Sequence, residues 1–254
     1  MHRSIRRISA VLFDLDDTLL DWSGRVGSWT EITRPHVDNV HDNLTSHGHA
    51  LPDKDAFAVI YRDIIIDSWA EARRTWESVC FETVLRKSCL LVGLDVDQID
   101  FHELMVAFDY APIPGVVPFV DTIPVLERLR ELEYRIGMIT NSMMPMWMRD
   151  IELERYALTP YFDVCITSGD CGTIKPNPAI YQKALDLLEL TPNQVLFVGD
   201  RPANDIAGAK NAGITSVLFT PPHLNRDLDG VEPDYTITKL SELLPILGKL
   251  EEDR

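Results

Sequence analysis

Four short stretches of this chain concentrate groups that bind or attack. The first, Asp14-Leu15-Asp16-Asp17-Thr18-Leu19, crowds three carboxylates directly after a run of apolar and small residues. Carboxylates that close together repel, and a divalent cation among them relieves the repulsion; an all-oxygen donor set suits magnesium better than zinc or copper. Ile139-Thr140-Asn141-Ser142 supplies a hydroxyl and an amide, neutral donors of the kind a phosphate oxygen accepts. Thr and Asn after a strand are also ordinary loop and cap residues, so this stretch alone decides nothing. In Gly172-Thr173-Ile174-Lys175-Pro176-Asn177-Pro178, the prolines on either side of Asn177 stiffen the loop and start the next helix. A lysine held in such a loop is a fixed cation for an anionic ligand. Val198-Gly199-Asp200-Arg201-Pro202-Ala203-Asn204-Asp205 is acidic again. Asp200 reads as a metal ligand, and Asp205 as either a further ligand or the cap of the next helix.

These groups act together only if the fold brings them to one place. Residues 8–15 form a short apolar run that reads as a buried strand ending in acids. From residue 114 onward two patterns alternate. Helices are expected near 120–132, 146–156, 179–188 and 205–212, and strands near 135–140, 162–167, 195–198 and 216–219; 235–237 and 240–247 complete the series. Such alternation implies a parallel sheet with helices on both faces, an α/β, Rossmann-like core. Ligands of these sheets bind beyond the carboxyl ends of the strands, which is where all four stretches fall. Between the first strand and this series the texture is helical. Phe57, Ile60, Tyr61, Ile64, Ile65 and Trp69 recur at three- and four-residue steps, Trp76, Val79, Cys80, Val84 and Leu85 continue the stripe, and Gly93 ends it. Pro112-Ile113-Pro114-Gly115 reads as the hinge back. The expected organisation is a core domain of residues 1–21 and 114–254, with a helical cap domain, 22–113, inserted after the first strand.

Bulk composition agrees with an ordinary globular chain of 254 residues and excludes some partners. A net charge of -16 argues against a nucleic-acid surface, which needs excess Lys and Arg. The four cysteines, Cys80, Cys89, Cys165 and Cys171, lack Cys-x-x-Cys spacing, so no zinc site is expected. The seven histidines, among them His36, His41, His47 and His49, show no ligand spacing and read as surface residues. Arg3, Arg6 and Arg7 imitate the start of a signal peptide, but Asp14, Asp16 and Asp17 interrupt the apolar stretch that follows. No apolar run reaches the roughly 20 residues of a membrane span, and a cytoplasmic protein is expected.

In this order, and each at an expected strand end, the four stretches resemble the phosphatase members of the haloacid dehalogenase superfamily. The resemblance covers residues 5–21 and 114–247, and the helical segment is similar to the mobile cap many of these enzymes insert. It implies that Asp14 is a nucleophile that forms an aspartyl-phosphate. Asp16 would protonate the leaving oxygen and later activate water. Thr140 with Asn141 would hold phosphoryl oxygens, and Lys175 would neutralise charge. Mg²⁺ would be ligated by Asp14, the backbone carbonyl of Asp16 and Asp200, with Asp205 a ligand or its support. A small phosphorylated metabolite is the expected partner, because a cap of this size excludes bulky polymers. Phosphate-monoester hydrolysis needs up to ~10²¹-fold acceleration against ~10²–10⁴ from one general acid, so several groups must combine. Sugar-phosphate mutases share all four stretches and are the nearest alternative. Dehalogenases lack an acid at the position of Asp16, and phospho-accepting receiver domains lack the helical insertion. Trp69, Arg73, Arg74, Trp76 and Lys87 of the cap read as core plus a solvated face.

Overall fold

A computed structural model describes residues 7–224 and 226–252; Arg3 and Arg6 lie outside the described residues. The chain opens with β1 (Ala10–Phe13), whose four residues are all buried. A tight turn leads to the two-residue strand β2 (Leu20–Asp21). The helical insertion therefore follows β2 rather than β1, and it holds four helices: α1 (Trp29–Ser46), α2 (Lys54–Thr75), α3 (Phe81–Leu91) and α4 (Phe101–Ala107). The chain returns through β3 (Val117–Pro118), which pairs antiparallel with β2 and closes a small ribbon at the base of the insertion.

Local chemistry fixes where these helices begin. Ser28 accepts from the Glu31 amide while Glu31 accepts from the Ser28 amide, a reciprocal box that satisfies free N–H groups at the start of α1. Asp53 caps α2 through the Ala56 amide. Val37, Phe57, Tyr61, Val84 and Leu104 then bury a common apolar cluster, which Met148 and Ile174 join from the core. Two expectations need correction here. The apolar stripe does not run on through Trp76: α2 ends at Thr75, Trp76 adopts a left-handed backbone with φ of 62°, and α3 starts only at Phe81. That break lets the Trp76 carbonyl accept from the Ile174 amide (3.1 Å) and the Thr173 hydroxyl (2.8 Å) of the core. His36 and His41 are packed rather than free at the surface. The His36 ring stacks on Phe108 at 4.9 Å, and His41 Nε2 lies 2.8 Å from the Pro52 carbonyl.

After β3 come α5 (Thr122–Glu131), β4 (Arg135–Thr140), α6 (Met146–Arg155), β5 (Val164–Thr167), the single turn α7 (Ser168–Cys171) and α8 (Pro178–Leu188). β6 (Val195–Gly199), α9 (Ala207–Asn211), β7 (Thr215–Phe219), β8 (Tyr235–Ile237) and α10 (Leu243–Glu252) finish the chain. The six strands form one parallel sheet in the order β5-β4-β1-β6-β7-β8. Alternation along β1 feeds both faces: Val11 and Phe13 pack with Val125, Leu126, Leu129 and Leu243, while Ala10 and Leu12 pack with Ile180, Tyr181 and Leu185. Later strands are added on opposite sides of β1, β4 on one and β6 on the other. The crevice such a reversal opens lies at the carboxyl end of β1. No helix among the described residues is long and apolar enough to cross a membrane.

Candidate active site

Phe13 ends β1 opposite Met138 on one side and Val198 on the other. The Asp14 amide still donates to the Val198 carbonyl (2.9 Å), so the carboxylate leaves the sheet from a backbone held in register. Asp17 then takes a positive φ of 63°, a conformation Asp tolerates, and the Leu19 and Leu20 amides both close on the Leu15 carbonyl at 2.9 Å. This turn folds Asp16 and Asp17 back over the strand end.

Lys175 is 2% exposed; its ammonium donates to Asp14 Oδ1 at 2.6 Å and to the Ile139 carbonyl at 2.9 Å, and it is ion-paired with Asp205 Oδ1 at 2.7 Å. Asn141 fastens the lysine's backbone. Its Oδ1 accepts from the Lys175 amide (2.8 Å) and its Nδ2 donates to the Lys175 carbonyl (3.0 Å), so both ends of the amide are engaged inside the protein. Asp205 approaches because residue 199 is glycine: a Cβ there would lie 2.4 Å from the Asp205 carboxyl carbon. The second Asp205 oxygen accepts from the Arg201 amide at 2.9 Å.

Burial pushes the Asp14 carboxyl well above its ordinary value; Lys175 opposes the shift, while Asp205, Asp200 and Asp16 add to it. Burial likewise disfavours the Lys175 ammonium, but Asp14 and Asp205 outweigh it and hold the group charged. Burial, then repulsion from Asp205, lifts Asp200 to about 7. Asp14, Asp200 and Asp205 are all buried and each offers an oxygen within 4.8 Å of the others. Asp200 Oδ2 accepts from Arg226 Nε (2.9 Å), whereas Asp200 Oδ1 is buried with no hydrogen-bond partner among the described residues. Three buried acids whose oxygens converge, with Asp200 Oδ1 and Asp205 Oδ1 both lacking a hydrogen bond among the described residues, fit a hard divalent cation.

Asp16 lies beside this cluster. Its Oδ1 accepts from Arg149 Nη2 (2.9 Å) and Trp22 Nε1 (3.2 Å), and its Oδ2 faces the Thr140 hydroxyl at 3.4 Å. All the stretches singled out by residue type thus converge on the carboxyl ends of β1, β4 and β6.

Residues 8–213 match the haloacid dehalogenase-like hydrolase family. The chain is a member of that family. Over 254 aligned residues it is 30% identical to a glyceraldehyde 3-phosphate phosphatase of Pyrococcus furiosus, covering 96% of this chain and 95% of that one. The crystal structure of a HAD phosphatase from Thermococcus onnurineus is similar with a TM-score of 0.63 and 28% identity, over 95% of this chain and 98% of its own. A 2-haloacid dehalogenase from Pseudomonas syringae gives 0.65 and 25% over 95% and 99%.

The structure also brings to this cluster residues that the sequence of the hydrolase did not mark. Arg149 and Glu152 sit one turn apart on α6 among the buried positions Met148 and Leu153. A charged pair on the apolar stripe of a helix was the available signal. Arg226, on the loop between β7 and β8, reaches both Asp200 and Asp17 (2.9 Å), and nothing local marks it. A groove of about 590 Å³ between α2 and α3, lined by Ile64, Asp67, Ser68, Glu71, Lys87, Leu90 and Leu91, shares no residue with the acid cluster.

Proposed function

We propose that this hydrolase is a magnesium-dependent phosphatase of small phosphate monoesters, working through an aspartyl-phosphate on Asp14. The observation that carries the reading is the placement of Asp16 beside Thr140, next to an Asp14 that Lys175 holds at 2.6 Å. A halide leaves carbon without a proton, whereas the oxygen of a phosphate ester needs one. An acid at this place therefore supports phosphoryl transfer over dehalogenation.

In the first step an Asp14 oxygen bonds to phosphorus as the ester P–O bond breaks, and Asp16 gives its proton to the departing oxygen. Asp16 then takes a proton from water, the water oxygen attacks the aspartyl-phosphate, and inorganic phosphate leaves with Asp14 restored. Thr140 and Lys175 neutralise and orient the phosphoryl oxygens, while Asn141 fixes the lysine from behind. Magnesium, held by Asp14, the Asp16 main-chain carbonyl and Asp200, supplies charge neutralisation at the phosphoryl oxygens when bound. Asp205, whose Oδ1 is ion-paired with Lys175 and whose Oδ2 accepts from the Arg201 amide, steadies the lysine and the loop as a further ligand or as support for the ligands. Residues 22–113 act as the cap. Hydrogen bonds from Ser78 to Gly172 (3.2 Å) and Phe81 to Met143 (3.0 Å) bring its α2–α3 connection onto the loops beside the site, which favours small substrates.

The test is phosphate release, with and without Mg²⁺, from glyceraldehyde 3-phosphate, other sugar phosphates, nucleotides, carboxylic-acid phosphates and a phosphoprotein. Metal-dependent release from a small ester, lost in Asp14→Asn, is expected. Release from the phosphoprotein but from no small ester overturns the reading.

A further inference from the structure

The reaction above leaves a second buried ion pair unused. Arg149 and Glu152 are 5% and 0% exposed. Arg149 Nη2 reaches Asp16 Oδ1 at 2.9 Å and Glu152 Oε2 at 3.0 Å, and Arg149 Nη1 donates to the Tyr110 hydroxyl at 3.3 Å. Tyr110 in turn donates to Glu152 Oε2 at 3.4 Å. Trp22 belongs to the connection leaving the core and Tyr110 to the one returning from the cap, so both connections end on this Asp16–Arg149 pair.

Stability alone is a poor reason for such an arrangement. Well-packed apolar side chains usually serve a buried position at least as well as an ion pair. Here the pair is also incompletely satisfied, since Arg149 Nε and Glu152 Oε1 are buried without hydrogen-bond partners among the described residues. What the pair does accomplish is geometric. Arg149 and Trp22 both donate to one oxygen of Asp16, and only the other oxygen is left toward Thr140. A guanidinium suits this task because its rigid planar fork sets Nη1 on Tyr110 and Nη2 on Asp16 and Glu152 in a fixed geometry, which the point charge of an ammonium does not impose.

We propose that Arg149, held by Glu152 and Tyr110, is a positioning residue for Asp16: it clamps one carboxylate oxygen so that the other meets the leaving group, and it ties that placement to the linker returning from the cap. Its kinetic consequence rests on the phosphatase reading; its geometric consequence does not.

The informative variant is Arg149→Gln with Glu152→Gln, which removes both charges together and strands neither. Turnover is compared on para-nitrophenyl phosphate, whose phenolate leaves without a proton, and on an alkyl phosphate that the wild type hydrolyses. We expect kcat on the alkyl ester to fall about tenfold or more, bounded by the ~10²–10⁴ that a general acid supplies, against less than about threefold on the aryl ester, with KM steady for both. Arg149→Lys, which keeps the charge without the fork, is expected to show the same selectivity. Equal losses on both esters, or a change in KM alone, overturn the assignment. A crystal structure of the double variant reads the geometry directly. The Asp16 side chain is expected to leave its place beside Thr140, and an unmoved side chain overturns the inference whatever the kinetics. A wild type that hydrolyses no ester defeats the phosphatase reading instead, and the crystal structure still decides the positioning role.

Discussion

At the carboxyl end of the sheet, Lys175 is 2% exposed and meets three partners: Asp14 just after β1, the Ile139 carbonyl of β4 and Asp205 after β6. In the cap, Arg73, Arg74 and Lys87 are exposed, and Arg74 pairs with Glu71 less than a turn away. The contrast is one of solvent as much as of partners. Water screens the cap's charges, so each contributes little wherever its side chain rests. Around Lys175 water is excluded, interactions are strong, and every unsatisfied group is costly. Polar contacts at the sheet edge are thus strong and specific, whereas those on the solvated face of the cap are weak.

The sharpest way to break this comparison is Lys175→Met. It strands Asp14 and Asp205 in the interior and is expected to cost about 3–5 kcal/mol of stability, the penalty for removing one partner of a buried pair, together with loss of turnover. Urea denaturation measures it, and a loss as small as that of a surface lysine would mean the edge is not as dry as its geometry says.

Acidity gives a second, intermediate test. Asp200 holds its proton more tightly in the metal-free folded protein, at about 7, than at its ordinary value of 3.8. Its contribution to stability is therefore present below that ordinary value and is lost as pH rises through about 7. Because the proton competes with a cation, Mg²⁺ should bind about tenfold more tightly at pH 8 than at pH 6, by calorimetry. An affinity that does not change over this range would remove Asp200 from the metal site.

The smallest effect belongs to the cap. Arg73→Ala with Arg74→Ala is expected to change kcat/KM by less than about twofold and to leave the melting temperature where it was. A large rise in KM would sharpen the comparison differently, by showing that the solvated face reaches substrate in turnover.

How far the site could be read from the chain follows the same division. Asp14, Thr140 and Asp200 each end or follow an apolar run, and a parallel sheet places all such ends along one edge, so their convergence was legible once the alternation was seen. Lys175 was legible from its proline-flanked loop, although its three partners were not. Arg149 meets Asp16 across 133 residues and Arg226 meets Asp17 across 209, and no local pattern records contacts of that span. Asn141 was expected, with Thr140, to hold phosphoryl oxygens; that its side-chain amide clasps the lysine's backbone was not legible, because the two loops are distant in sequence and become neighbours only at the edge. The break at Trp76 was hidden for a similar reason, since its carbonyl finds acceptable donors only on the core loop at 173–174.

The amino-acid sequence by itself determined the period of each element, the polarity of each face and the kinds of reactive group at the strand ends, because these depend on neighbours within a few residues. Tertiary structure alone decided which oxygen of Asp200 remains unsatisfied, which oxygen of Asp16 is clamped, and that the two connections to the cap reach the Asp16–Arg149 pair, Trp22 at Asp16 and Tyr110 at Arg149. Those outcomes depend on how remote segments exclude water together, and exclusion of water is a property of the packed chain rather than of any stretch within it.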